Sequence, residues 1–249
     1  MSNVTCDGLV VSGRSLKGAK HNKSDDRFLI KPFDSGHVLM AVSDGMGGHP
    51  AGDLAAEDVM AGLHSIEHGN ENGILSIVSA INRADITIRN RVQRSMILEG
   101  MGATVTAAIL NRRELWWGHA GDSRLYLMRN GSLRQITRDH SFLQEFVDSG
   151  ELSEEDAASH PMAHVLDQCV GCLDSGADGG SFNVSSGDFI LLCTDGLYRV
   201  VSDQEITSAL SSSPDVSSCV NRLLSLTTEN GLPDDTTIIV AHISGEPGH

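Results

Sequence analysis

The chain is predicted to form a single α/β domain in which helices cover sheets. Three observations carry this. Strand-like and helix-like patterns follow one another as strands, two helices, strands, two helices and a final strand. The composition is 40% hydrophobic but only 4% aromatic, enough for a sizeable core that aliphatic side chains must fill. Two hydrophobic runs, Val38 to Ser43 and Phe189 to Thr194, end in Asp44-Gly45 and Asp195-Gly196, as buried strands that each deliver a carboxylate at the tip would.

Residues 8–15 and 27–31 read as short strands around a polar loop from Lys17 to Asp26. A strand at 37–43 leads into the glycine-rich turn Gly45-Met46-Gly47-Gly48. A helix is expected from about Ala51 to Ile66, with Ala55, Val59, Leu63 and Ile66 on one face, and a second from Gly73 to Arg94. The stripe of the second, Ile74, Ile77, Val78, Ile81, Ile88 and Val92, is interrupted by Asp85. Strands at 103–110, 114–120 and 123–129 follow, the last closed by an Arg129-Asn130-Gly131 turn. The stretch 138–165 is polar, with two short helical pieces, one starting at Ser153. Strands return at 182–184 and 188–194. Ser202-Asp203-Gln204-Glu205 is a capping box opening a helix to about Leu210, another helix spans Val216 to Glu229, and 236–243 is the last strand.

The net charge of −15, from 33 acidic and 18 basic residues, disfavours nucleic acid and anionic membranes as partners. No apolar run is long enough to span a bilayer, and the first residues show neither the basic nor the apolar part of a signal peptide, so a soluble cytoplasmic protein is expected. Five scattered cysteines then read as reduced thiols.

Asp44, Asp122, Asp195 and Asp234 each stand at the boundary of a predicted strand, and Asp25-Asp26 lie in the first loop. Carboxylates converging from rigid strand ends repel one another unless a cation lies between them, and hard divalent ions want such oxygen ligands. Ordinary Asp-Gly turns are the competing reading. Other chemistry is poorly supported. Cys169-Val170-Gly171-Cys172, with His160 and His164 nearby, lacks the second cysteine pair of a zinc site. No Gly-Lys-Ser/Thr follows the glycine-rich turn, and no Gly-x-Ser-x-Gly elbow exists. His119, in mid-strand, reads as a packed, hydrogen-bonded histidine.

The segment Ala41-Val42-Ser43-Asp44-Gly45-Met46-Gly47-Gly48-His49-Pro50-Ala51-Gly52 resembles the signature of bacterial metal-dependent Ser/Thr protein phosphatases of type 2C, the PPM family. So do Met101-Gly102-Ala103-Thr104, Gly118 to Arg124, Thr194-Asp195-Gly196-Leu197 and Pro233-Asp234-Asp235-Thr236-Thr237, in order along nearly the whole chain. Thr137 to Ser141 and the stretch to Pro161 are similar to that family's flap.

The resemblance implies an αββα sandwich, two packed antiparallel sheets with helices on both outer faces, as one domain over 1–249 with a flap at about 139–165. It implies hydrolysis of phosphoserine and phosphothreonine by in-line attack of a metal-bridging water, with two Mn²⁺ or Mg²⁺ ions per chain. Asp26, Asp44, Asp195 and Asp234 would be catalytic. Asp44, Gly45, Asp195 and Asp234, with Asp122 and Asp26, would hold the ions. His21 stands where the family has an arginine for substrate phosphate, Ser24 follows where asparagine is usual, and Met46 replaces a histidine of eukaryotic members. Arg199 replaces a carboxylate that helps hold a third ion, which puts that ion in doubt; His21 and Arg199 become the candidates for touching substrate phosphate. The partners implied are phosphoproteins made by a Ser/Thr kinase, met by a monomer. A degenerate, non-catalytic regulatory module would have lost Asp44, Asp195 or Asp234; a dedicated partner-switch phosphatase is the third reading.

Overall fold

The computed structural model describes residues 2–46, 51–67, 72–172 and 176–244, so Gly47-Gly48-His49-Pro50 of the glycine-rich segment lies outside the described residues. In chain order the strands are β1 (Ser2–Cys6), β2 (Leu9–Leu16), β3 (Arg27–Pro32), β4 (Val38–Ser43) and β5 (Gly45–Met46). The helices α1 (Gly52–His64) and α2 (Gly73–Arg94) follow, then β6 (Gly102–Ala103), β7 (Val105–Leu110), β8 (Glu114–Ala120), β9 (Arg124–Arg129) and β10 (Ser132–Gln135). Next come α3 (Gln144–Asp148), α4 (Glu154–Ser159), β11 (Asp178–Asn183), β12 (Phe189–Cys193), α5 (Asp195–Tyr198), α6 (Asp203–Ser212), α7 (Val216–Glu229) and β13 (Thr236–Ile243).

Two antiparallel sheets result. One runs β1-β2-β13-β12-β9-β10, the other β11-β8-β7-β4-β3, and β5 pairs with β6 as a small ribbon. Period-two alternation on strands buried on both faces builds three apolar layers. Val38, Met40 and Val42 of β4 meet Ile190 and Leu192 of β12 and Ile239 and Ala241 of β13 between the sheets. On the outer face of the five-stranded sheet, Leu39 and Ala41 pack with Ala55, Val59 and Leu63 of α1 and Ile77 and Ile81 of α2. Leu191 and Cys193 face Ile206, Cys219, Val220 and Leu223 of α6 and α7 on the other side. The helix-on-sheet-on-sheet-on-helix arrangement is the one expected.

Side-chain caps close several helix starts, those at Ser153 and Ser202 where the sequence places them. Asn72 accepts from Leu75 N–H, Ser153 from Asp156 N–H, and Ser202 with Glu205 closes the capping box. The differences from the sequence reading are physical. β1 and β10 are the edges of the six-stranded sheet and are largely polar and exposed, so they lack the apolar alternation that marks a strand. β11 begins at Asp178 because Gly179-Gly180, a loop signal in sequence, lies under Ile74 and Trp117 with no room for side chains. The expectation of reduced thiols fails at one place: Cys169 and Cys172 form a disulfide, while Cys6, Cys193 and Cys219 are free. No helix among the described residues is long and apolar enough to cross a membrane.

Candidate metal centre

Strand register brings the carboxylates to one end of the sandwich. Arg27 pairs with Ser43, so Asp26, just before β3, sits beside Asp44, just after β4. Cys193 pairs with both Ile238 and Arg124, which sets Asp195 beside the start of β13, where Asp234-Asp235 stand, and the start of β9, next to Asp122. Hydroxyls stitch the two sheet ends together. Thr194 Oγ1 donates to Asp26 Oδ2 (2.8 Å). Asp44 N–H donates to Thr104 Oγ1 (3.0 Å), which lies 2.7 Å from Ser123 Oγ.

The glycines of the two Asp-Gly pairs are not turn residues with positive φ. Gly45 belongs to β5 and Gly196 to α5. A Cβ on Gly45 would stand 2.1 Å from Gly52 O, and one on Gly196 2.1 Å from Asp235 O. Both are glycine so that a second backbone can close on the aspartate, and the simple turn reading is set aside for these two sites.

Burial and mutual repulsion dominate the electrostatics. Burial, followed by the charges of Asp26, Asp195, Asp122 and Asp234, holds the Asp44 carboxyl well above the usual carboxylate range. Burial raises Asp195 to about 8 with Asp122 adding to it, and raises Asp26 to about 7 with Asp235 and Asp234 adding. Asp122 is also raised by burial, although Arg199 opposes the shift. Two buried oxygens, Asp26 Oδ1 and Asp195 Oδ1, have no hydrogen-bond partner. A buried carboxylate oxygen without a donor is costly and calls for a cation. Among the described residues no three His, Cys, Asp or Glu side chains surround a single point. Hard divalent ions can be held by one or two carboxylates, a backbone carbonyl and waters, so the fit rests on the two orphaned carboxylate oxygens. The residues therefore fit a hard-cation centre.

The remaining sequence candidates are engaged as follows. His21 Nδ1 lies 3.0 Å from Asp235 Oδ1, with its other nitrogen 3.9 Å from Asp234 Oδ1. Arg199 Nη2 donates to Asp122 Oδ2 (3.2 Å), and its Nε lies 2.7 Å from Asp195 Oδ2 as an ion pair without hydrogen-bond alignment. Arg199 Nη2 also reaches Ala163 O of the 139–165 stretch (3.4 Å). His119 is fully buried between Thr106 Oγ1 and Arg138 O, and burial lowers it to about 3, as a packed neutral histidine requires.

Sequence reasoning passed over Asp235. Its carboxylate accepts from Gly18 N–H and Asp25 N–H, both at 2.7 Å, tying the first loop to the start of β13 beside Asp234. The Asp234-Asp235 doublet was the available signal, but nothing in it tells the inward-turned partner from the exposed one. Arg124 was also passed over; it grips Asp139 with Nε and Nη2 (2.7 to 3.1 Å) and stacks its guanidinium on Tyr198, fixing the start of the 139–165 stretch to α5.

Residues 17–237 match the family model described as Protein phosphatase 2C. The chain is 37% identical over 237 residues to the serine/threonine protein phosphatase PstP of Mycobacterium tuberculosis, covering 94% of this chain and 45% of that protein, so it spans about half the length of that relative. It is 32% identical over 231 residues to the serine/threonine phosphatase stp of Listeria welshimeri, covering 89% and 90%. The crystal structure of the PstP catalytic domain in complex with two manganese ions superposes with a TM-score of 0.86 at 32% identity, over 95% of this chain and 99% of that one.

Proposed function

The chain belongs to the protein phosphatase 2C family, and from that premise we propose that it is a metal-dependent phosphatase removing phosphate from phosphoserine and phosphothreonine in proteins. The observation that carries this is the cluster of Asp26, Asp44, Asp122, Asp195 and Asp234 drawn from both sheets to one end, with Asp26 Oδ1 and Asp195 Oδ1 buried and unpartnered. Asp44, Asp195 and Asp234, with the Gly45 carbonyl, would hold the ions, and Asp26 would act from beside them. Two Mn²⁺ or Mg²⁺ ions, when bound, supply activation of a water and neutralisation of phosphate charge.

The protein's own contribution is placement. Strand tips fix Asp44 and Asp195, and Thr194, Thr104 and Ser123 hold the loops between them, so the ligands need little rearrangement. Asp235 and His21 seat the Asp234 loop. The Arg199 charge is committed to Asp122 and Asp195, which supports two ions rather than three and leaves only part of that charge for incoming phosphate. In the same reading 1–249 is one catalytic domain, 139–165 is a flap that helps choose phosphoproteins made by a Ser/Thr kinase, and the protein is a cytoplasmic monomer. The net charge of −15 supports the absence of nucleic-acid and anionic-membrane partners.

The test is hydrolysis of p-nitrophenyl phosphate and of a phosphothreonine peptide, with and without Mn²⁺. Turnover that appears with Mn²⁺ and disappears with EDTA is expected; an unchanged rate after EDTA would overturn the metal-dependent reading.

A further inference from the structure

We propose that Cys169 and Cys172 form a thiol–disulfide exchange site, opened by a dithiol reductant at Cys172, whose redox state sets the position of the β5–β6 ribbon. The two cysteines are already paired in the folded chain. Between them, Val170 exchanges both backbone hydrogen bonds with Ala103, N–H to O and O to N–H, each at 2.9 Å. Ala103 stands opposite Gly45 in the ribbon, and Gly102 opposite Met46. The disulfide loop is thus a third strand-like layer on the backbone that carries Gly45.

The contact is tight. A Cβ placed on Gly102 would lie 3.1 Å from Cys169 Sγ and 3.2 Å from Val170 O. Helix α2 clamps the loop from the other side. Asp85 accepts from Gly171 N–H (2.8 Å), and the Arg89 guanidinium donates to Cys172 O. This accounts for the one carboxylate in the apolar stripe of α2, which the phosphatase chemistry leaves unused. Gly171 takes φ +93, a left-handed conformation that lets its N–H face Asp85.

The two sulfurs differ in access: Cys169 is fully buried, whereas Cys172 is half-buried. A thiolate of the reductant therefore attacks Cys172 Sγ, forming a mixed disulfide and expelling Cys169 as a thiolate that takes up a proton. The second thiol of the reductant then attacks its own sulfur in that mixed disulfide, releasing Cys172 as a thiol. The reductant leaves as a disulfide, having given two electrons. Once the bond is broken the sulfurs must part to van der Waals separation. Cys172 has room to move outward, and because Val170 is hydrogen-bonded both ways to Ala103 and Cys169 is packed on Gly102, the relaxation of the loop is passed to β6 and on to Gly45. The consequence for ion affinity rests on the reading of the Gly45 carbonyl as a metal ligand.

Native protein held in a series of oxidised-to-reduced dithiothreitol ratios, quenched with a maleimide, digested and read by mass spectrometry tests the site. Cys169 and Cys172 are expected to take label together while buried Cys193 and Cys219 stay unlabelled. Amide exchange at Gly45 and Ala103 is expected to speed up on reduction, and the Mn²⁺ Kd by calorimetry to change by about tenfold, the lower end of effects transmitted by outer-shell partners. The Cys169→Ser, Cys172→Ser double variant should behave as the reduced protein and ignore dithiothreitol. Label that enters only together with Cys193 and Cys219, or equal amide exchange in the two states, would overturn the proposal. If neither state binds Mn²⁺, the metal reading falls, while labelling and amide exchange still decide the exchange site.

Discussion

Strand β12 carries a buried aspartate at each end, and the two have opposite surroundings. Asp188, 1% exposed, is saturated: Arg129 donates to it from Nε (2.9 Å) and Nη2 (2.6 Å), and Ser185 N–H adds a third bond (2.8 Å). Asp195, 8% exposed, has a bare Oδ1 and, among the described residues, pairs its side chain with Arg199 alone while facing the charges of Asp122, Asp234 and Asp26. The residue type and the strand are shared, and the burial is similar. What differs is whether the protein supplies donors for both carboxylate oxygens, as at Asp188, or shares one arginine among several carboxylates and leaves an oxygen bare, as at Asp195. The first arrangement holds a fold together; the second keeps a place open at a cost in stability.

The largest effect expected from this contrast is on catalysis. Asp195→Asn or Asp44→Asn should lower phosphopeptide turnover by at least about a thousandfold, the several kcal/mol that loss of ion-supported charge neutralisation implies. Neither should lower the melting temperature of EDTA-treated protein at neutral pH, because each removes a repelled carboxylate. A residual rate within tenfold of the parent would break the distinction.

Asp188→Ala should do the reverse. Losing three hydrogen bonds to a charged group should cost about 3 kcal/mol, or about 6–10 °C in a chain of this size, with turnover per folded molecule unchanged. Calorimetry alongside the phosphatase assay checks both halves.

The third expectation concerns pH. Asp26 and Asp195 are raised from 3.8 to about 7 and about 8, mainly by burial. Between 3.8 and those values the folded chain retains protons that the unfolded chain has released, so stability falls as pH rises through that window. EDTA-treated protein should therefore melt lower at pH 8 than at pH 5, and saturating Mn²⁺ should stabilise it more at the higher pH. A flat profile without metal would show that these carboxylates do not repel.

The smallest expected effect is at Arg199. Arg199→Ala removes the cation shared by Asp122 and Asp195, and Mn²⁺ affinity read by calorimetry should rise by about tenfold, the scale of such neighbouring charges. An unchanged or weaker affinity would mean that Arg199 only positions the carboxylates.

Much of the frame was legible in the sequence, for local reasons. Helices α2 and α7 carry both an apolar stripe and a side-chain cap at Asn72 and Asp215, and their predicted ends coincide with the observed ones. Strands β4 and β12 are apolar on both faces because each lies between another sheet and a helix layer, so their runs and their terminal aspartates stood out. The edges β1 and β10 did not, since an edge strand is half solvent-facing and its sequence looks like a loop.

What the sequence by itself determined, then, was the set of elements and which of them end in a carboxylate, because helical and strand periodicity and capping act over a few residues. Only the tertiary structure decided which strand ends meet. Thr194 reaches Asp26 across 168 positions, and Gly18 reaches Asp235 across 217. It also decided that Asp235 turns inward while Asp234 stays half exposed, that Asp85 serves the Cys169–Cys172 loop, and that Asp188 is filled where Asp195 is not. The physical reason is that a carboxylate's role is set by the charges and donors within a few ångströms, and sheet order, not sequence spacing, chooses those neighbours.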